Sequence, residues 1–423
     1  MRRAERDWLD DQTGREVVQE HRPLSGLRVL DVGTRISAPF CAGLLGELGA
    51  EVIKVELPGS GDFMRSIGPF APDANDGSEE AGYSLFWAVE GRGRKGVTCD
   101  LRKAAGQDLL RRLAAISDVV CENFRPGTME SWHLGPEDLD ERLVYVRISV
   151  FGQDGPYSRR PGLDRLGIAY GGLLHLTGYP DRPPVRPGVT ISDYLTGVFA
   201  AEAALAALYG RDARGSGRGV VIDAPLYGAV LRVLEWTIAA HDRLGIVRSR
   251  EGNRLGNSAP LDNYPTADGR YVCIVAGSDA NFRRLCAAMG DAALVNDPRF
   301  RRLSDRAAHA DEINSIVSAW TAKLTAAEIV EACVGADVPV GTAYSASDIV
   351  ADPHFAARGD LVPVDDPVLG QVLQQAPYPR LGRAKPEPPR GAPRLGEHNR
   401  EVWCDLVGLS TVELNALQRS GVI

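Results

Sequence analysis

This sequence has no cysteine pairs, no histidine clusters, no nucleotide-loop glycines and no long apolar runs, and each absence removes a class of function. The seven cysteines (Cys41, Cys99, Cys121, Cys273, Cys286, Cys333 and Cys404) stand singly, with no C-x-x-C and no Cys/His cluster, which argues against a zinc site and against a disulfide framework. Several lie in apolar, strand-like runs ("VTCDL", "DVVCENF", "YVCIVAG"), where a thiol is expected to pack as a small core residue. The seven histidines are equally scattered, so no metal is expected. "DVGTRISAPF", which follows the first strand-like run, is not G-x-G-x-x-G, and G-x-x-x-x-G-K-[ST] occurs nowhere. That argues against dinucleotide and P-loop chemistry, and "GSGD" at 59–62 reads as a turn. The longest apolar runs, such as "GVFAAEAALAALYG", are broken by Glu and too short to cross a bilayer, so no membrane association is expected. The N-terminal "MRRAERDWLDDQTGREVVQEHRP" lacks an apolar h-region, so it reads as a surface extension and a cytoplasmic location is expected. A net charge of −8 without a basic tail argues against nucleic acid as a partner. An anionic ligand would need a local basic patch.

What is present describes an ordinary globular chain, 44% hydrophobic and 25% charged, whose 423 residues exceed the usual single core and predict two domains. From about residue 25, short β-branched runs alternate with amphipathic helices: "LRVLDVG", "APFCAGLLGELGA", "EVIKVE", then "GVTCDL", "AAGQDLLRRLAAISD", "VVCENF" and "RLVYVRISV". This alternation predicts an α/β fold with a parallel sheet covered on both faces. Ligands bind such sheets at the carboxyl ends of the strands. The loops there, "GTRISAPF", "ELPGSGDFMR", "ENFRPG" and "SVFGQDGP", are rich in Gly, Pro and polar residues. A long apolar helix is predicted over 194–209, stopped by Gly210, with a strand in "VVIDAPL" and one more helix over 225–243. After "EGNRLGNSAP" the pattern changes to a hairpin in "YPTADGRYVCIVAG" and further helices, a smaller α+β unit over 250–345.

One loop stands apart. In "TGYPDRPPVRPG" the prolines at 180, 183 and 184 restrict the backbone on both sides of Asp181 and hold it in few conformations. On the loop alone, Asp181 reads as a turn residue chosen for its local hydrogen bonds, or as a carboxylate presented for use.

Taken together, "PLSGLRVLDVG…APFCAGLLGELGAEVIKVELPGSGD", "GVTCDLRKAAGQDLLRRLAAISDVVCENFRPGTMESWHLG", "LVYVRISVFGQDGPYSRRPGLD", "TGYPDRPPVRPGVTISD" and the C-terminal "LGEHNREVWCDLVGLSTVELNALQRSGVI" resemble the class III CoA-transferases, the family of formyl-CoA transferase and carnitine CoA-transferase. The likeness runs in order from about residue 23 to the C-terminus. It implies coenzyme A as the cofactor substrate, an acyl-CoA and a carboxylic acid as partners, no metal, and an interlocked homodimer. The expected division is an extension at 1–24, a large Rossmann-like domain from 25–224 and 346–423, a linking helix at 225–249, and the small α+β domain at 250–345.

Asp181 matches the family's nucleophile, which attacks the thioester to give a mixed anhydride and then an aspartyl-CoA thioester. A carboxylate is ionised at neutral pH and needs no partner base. The resemblance also implies Asn123 and Phe124 of "ENFRPG" at the cofactor, and Ser37 and Ala38 in the first loop complete that set. "GRGRKGVTCDLRK" supplies Arg92, Arg94, Lys95, Arg102 and Lys103 as a positive region for phosphates, Arg102 standing where the family commonly has Lys. The 2-methylacyl-CoA racemases of the same family are similar too, but have Gly-His-Asp where this chain has Gly162, Leu163 and Asp164, so one base is missing. Asp164 and Asp193 are expected as helix caps, with the racemase acids as the alternative. A CoA-binding chain without turnover is a third reading. Two departures, the glycine-poor "EGNRLGNSAP" and Val150 where Gly is usual, point away from formate and oxalate as substrates.

Overall fold

Runs that are apolar at consecutive positions, such as 29–30, 52–53, 119–121 and 144–146, are buried on both faces, and they lie in one six-stranded parallel sheet whose outer strand over 221–225 is partly exposed. The structure is a computed structural model describing residues 22–72, 82–382 and 387–423, so most of the extension expected at 1–24 lies outside the described residues. The chain runs through β1 (Arg28–Asp31), α1 (Ser37–Glu47), β2 (Glu51–Glu56), a two-residue pair β3 (Phe70–Ala71) and β4 (Tyr83–Ser84), α2 (Leu85–Glu90), β5 (Arg94–Thr98), α3 (Ala104–Ala114), β6 (Val119–Glu122), α4 (Thr128–Ser131) and β7 (Val144–Ser149). Helices α5 (Asp164–Tyr170), α6 (Leu173–Leu176) and α7 (Ile191–Asp212) precede β8 (Val221–Pro225). The order across the large sheet is β5-β2-β1-β6-β7-β8.

Neighbouring strand residues face opposite cores. Leu30, Ile53, Val120 and Tyr145 pack with Leu109, Leu110 and Leu113 of α3 and with Val402, Trp403, Val422 and Ile423 of the C-terminal tail. Val29, Val52, Val119 and Val144 pack with Ala38, Cys41, Ala42 and Leu45 of α1 and Ala200, Ala201 and Ala204 of α7. Residues 402–423 therefore cover the same sheet as the N-terminal half. Close approach of α7 to α1 needs a glycine: a Cβ on Gly197 would lie 2.9 Å from the Phe40 ring.

Helix α7 differs from its sequence reading at both ends. It begins at Ile191 and passes through Gly210 to Asp212, because Arg211 is buried and anchored to Asp118 and Asp212 at 2.8 and 2.7 Å. Tertiary ion pairing outweighs the roughly 1 kcal/mol helix penalty of the glycine. At 22 residues α7 is long and apolar enough to cross a membrane by length and composition, but here its Ala/Gly face is packed against α1. The single linking helix expected at 225–249 is two helices, α8 (Leu226–Arg232) and α9 (Thr237–Leu244), separated at Glu235, whose φ of +55° cannot continue a helix.

The smaller unit has an antiparallel sheet of β9 (Leu261–Pro265), β10 (Tyr271–Val275) and β11 (Val340–Thr342), ordered β11-β10-β9. Its core joins Tyr264, Val272 and Ile274 to Leu285, Val317 and Ile329 from its helices. Cys273 faces outward on β10, against the core expectation, because alternation gives the inner face to Val272 and Ile274. A hairpin of β12 (Leu361–Asp366) and β13 (Gly370–Gln375) leads to the tail.

Candidate active site

The candidate residues lie on the loops at the carboxyl ends of the strands and on the separate Asp181 loop, and buried charge holds the first of them. Beneath the turn from β1 to α1, Lys54 is fully buried; its Nζ pairs with Asp62 at 2.9 Å and Asp31 at 3.4 Å and donates to the Gly33 carbonyl at 2.5 Å. Asp31 is further held by Arg94, at 2.9 Å. Asp62 caps the following turn through the Met64 N–H (2.9 Å) and accepts from the Arg35 N–H (3.1 Å).

Asn123 is the second anchor. Its Oδ1 accepts from the Thr34 N–H (2.8 Å), and its Nδ2 donates to the Thr34 carbonyl (2.7 Å) and Ser37 Oγ (3.2 Å), tying the loop after β6 to the loop after β1. A Cβ on Gly33 would sit 3.0 Å from Asn123 Oδ1 and 2.8 Å from Ala38 Cβ, which accounts for glycine there. Below Asn123, buried Glu122 accepts from the Phe124 N–H (2.7 Å) and Arg147 Nε (2.8 Å), and burial pushes its carboxyl up to about 7 against the pull of Arg147. The Phe124 ring meets Trp132 edge to face at 5.1 Å. Asn123, Ser37 and Ala38 thus come together, with Phe124 next in line.

The five cations do not form one patch. Arg92 is bound to Glu47 (2.7 Å) and the Gln375 carbonyl (2.8 Å). Arg94 is buried on Asp31 and the Pro39 carbonyl, and Lys95 lies between Glu51 and Glu401. All three stand at the amino end of β5, whereas Arg102 and Lys103 follow its carboxyl end, about 16 Å away along a five-residue strand. Lys103 is spent on the carbonyls of Ser420 and Gly421 (2.8 and 2.9 Å). Arg102 keeps an exposed guanidinium, paired with Asp100 at 2.8 Å.

The Asp181 loop is clamped from outside as well as by its prolines. A Val185 N–H to Thr177 carbonyl bond (3.0 Å) closes its neck, and Arg182 N–H to Tyr179 O (3.3 Å) makes the turn that presents Asp181. The segment after α9 then grips it. Arg250 donates to the carbonyls of Tyr179 (3.3 Å) and His175 (3.1 Å), the Gly252 N–H to Gly178 O (2.9 Å), and Asn253 Nδ2 to the Tyr179 hydroxyl (3.0 Å). Gly252, at φ +65°, has no room for a Cβ, which would lie 2.7 Å from the Tyr179 ring. Residues 250–253, at the start of "EGNRLGNSAP" and just before it, are therefore the strap of the Asp181 loop, a pairing that no local signal encodes. Asp181 itself is exposed, and among the described residues nothing bonds to its carboxylate.

Neither of the other two aspartates caps its own helix. Asp164 is the first residue of α5, and its Oδ1 accepts from the N–H (2.9 Å) and Oγ (2.8 Å) of Ser192, so it caps α7 from a neighbouring helix. Asp193 lies in the first turn of α7 and faces the Ser37 hydroxyl. Burial, then the nearby Asp164, push its carboxyl up to about 7, against Ser37 and Arg35. Because the folded value lies above the ordinary 3.8, the stability this group lends is full below about pH 4 and is lost as pH rises through about 7. Asp193→Asn cannot ionise, so wild type is expected to lose thermal stability relative to it between pH 5 and pH 8. Parallel melting curves across that range would show no contribution from Asp193. Val150 fills the space left by Gly162, where a Cβ would meet its Cγ2 at 2.9 Å.

A parallel sheet with a topological switch at its centre and polar carboxyl-end loops places the chain among α/β ligand-binding proteins of Rossmann-like design. The profile of CoA-transferase family III matches residues 24–399, and the chain belongs to that family and is a family III CoA-transferase. It is 43% identical over 405 residues to succinyl-CoA–D-citramalate CoA-transferase of Chloroflexus aurantiacus, covering 95% of this chain and 98% of that one. The beta subunit of succinyl-CoA–L-malate CoA-transferase from the same organism is 39% identical, over 95% and 98% of the two chains. A crystal structure of a CaiB/BaiF family protein from Brucella suis superposes with a TM-score of 0.81 at 32% identity, covering 92% of this chain and all of that one.

Proposed function

We propose that the enzyme moves CoA from succinyl-CoA to a four- or five-carbon hydroxydicarboxylic acid through covalent chemistry at Asp181. The observation that carries the mechanism is a lone carboxylate, exposed and unbonded among the described residues, on a loop fixed at its neck and strapped by residues 250–253. The Asp181 carboxylate attacks the thioester carbonyl and the C–S bond breaks, giving a mixed anhydride and CoA thiolate. The thiolate attacks the aspartyl carbonyl, releasing succinate and leaving an aspartyl-CoA thioester. The acceptor carboxylate attacks that thioester, and the thiolate released then takes the acceptor's acyl carbon, restoring Asp181. A fixed loop holds the carboxylate in position for each attack. The substrate class is supported by two relatives, both named for succinyl-CoA paired with a hydroxydicarboxylate. Incubating the protein with succinyl-CoA and a panel of mono- and dicarboxylic acids, read by mass, tests it; no new acyl-CoA from any dicarboxylic acid would sink this assignment.

On this reading CoA lies across the carboxyl ends of the sheet, its pantetheine along Asn123, Phe124, Ser37 and Ala38 and a phosphate on Arg102, whose guanidinium is exposed, whereas the Lys103 ammonium beside it is bonded to two carbonyls. A charged hydrogen bond is worth about 1.5–3 kcal/mol. Arg102→Ala is therefore expected to raise the CoA dissociation constant roughly tenfold or more, by titration calorimetry. An unchanged constant would remove Arg102 from the site.

The interlocked homodimer belongs to this reading. Its support is the apolar surface that α9 and its flanks expose on one chain: Trp236, Ile238, Leu244 and Val247. A monomer mass in light scattering at micromolar concentration would count against it.

A further inference from the structure

Arg35 occupies a backbone conformation that arginine rarely adopts. Its φ is +65°, in the left-handed region, which costs a non-glycine residue roughly 1–3 kcal/mol and persists only where the surroundings impose it. They do so here: the Arg35 N–H is bonded to Asp62, which buried Lys54 holds in turn. The guanidinium lies over the half-exposed ring of Phe63, 3.8 Å from its centroid, so its orientation is set by stacking. Among the described residues no carboxylate bonds to it, whereas Arg28, Arg65, Arg92, Arg94 and Arg102, elsewhere around the same sheet, each hold one. Its place is the carboxyl end of β1, between β2 and β6, where the chain order of the sheet reverses. The Asn123 loop lies on one side of that crevice, and Asp193, in the first turn of α7, close enough to feel the Arg35 charge. The Asp181 loop runs directly into α7.

An oriented arginine with no bonded carboxylate among the described residues, held at an energetic cost at the sheet's switch point, is built for an anion. Arg102 lies beyond β5, two strands or about 10 Å across the sheet from β1, so the two guanidiniums serve different ends of a ligand. We propose that Arg35 is the specificity-determining residue for a dicarboxylic acyl group, its guanidinium binding the distal carboxylate of the succinyl chain. This rests on the transferase reading above and names what selects its donor.

The test is the half-reaction without acceptor, following release of free acid from succinyl-CoA and from butyryl-CoA, which has the same carbon chain and no distal carboxylate. Glycine accepts φ +65° without strain, so Arg35→Gly removes the side chain and leaves the turn intact. Wild type is expected to favour succinyl-CoA, and Arg35→Gly to lower the second-order rate constant of this single-turnover release from succinyl-CoA roughly 10- to 100-fold while butyryl-CoA changes less than about threefold. Arg35→Lys should retain part of the discrimination. An equal loss for both thioesters overturns the Arg35 assignment alone. So does a tenfold rise in the dissociation constant of free CoA, which would place a CoA phosphate on this guanidinium. No acid from succinyl-CoA with the wild type overturns succinyl-CoA as the donor proposed above and this assignment with it.

Discussion

Asp181→Asn is expected to lower CoA transfer by roughly 10³-fold or more, about 4 kcal/mol of barrier, while CoA affinity and thermal stability stay near wild type. The asymmetry follows from the environment of the residue. The side chain is exposed and bonded to nothing among the described residues, so the amide costs the fold almost nothing. The turn that presents it is made by Tyr179, Val185 and the strap at 250–253, none of which touches the carboxylate. What the amide lacks is a nucleophilic oxyanion, and no other group on this loop replaces it. In the wild type, succinyl-CoA without an acceptor followed by hydroxylamine should leave a hydroxamate on the peptide carrying Asp181, and the Asn variant should give none. Undiminished transfer in the Asn variant would refute a covalent role for this residue.

Lys54→Met is the largest expected effect on stability. The two side chains are similar in length, and the site is fully buried, so packing survives while the charge is lost. Among the described residues Asp62 then has no paired cation, and Asp31 retains Arg94. Breaking a buried ion pair from one side costs about 3–5 kcal/mol, because the remaining charge stays in a place water cannot reach. Urea unfolding should show that loss. The Asp62 carboxylate that fixes the Arg35 turn is the one left unpaired, so discrimination between succinyl-CoA and butyryl-CoA should fall as well. A change below about 1 kcal/mol would mean that this network contributes little to holding the β1 loop.

By itself the sequence determined the family and the alternation of strand and helix. Both are written in short range: consecutive β-branched residues dictate a sheet buried on two faces, and prolines on both sides of Asp181 restrict its loop wherever it lies. Partners were a different matter. "GRGRKGVTCDLRK" reads as one basic patch, yet pairing β5 with β2 sets Arg94 beside Val52 and Lys95 beside Ile53, and at that register Arg94 reaches Asp31 and Lys95 reaches Glu51. Asp164 and Asp193 each precede or open a helical run and read as local caps, but the close packing of α5 on α7 gives Ser192 to Asp164 and turns Asp193 toward Ser37. Arg35 carried no sequence signal, because a left-handed φ and an unanswered charge exist only once Lys54, Asp62 and Phe63 surround it. Local propensity is a property of neighbours in the chain; the partner of a charge is whichever residue the sheet register and helix packing bring within about 3 Å, and only the folded chain decides that.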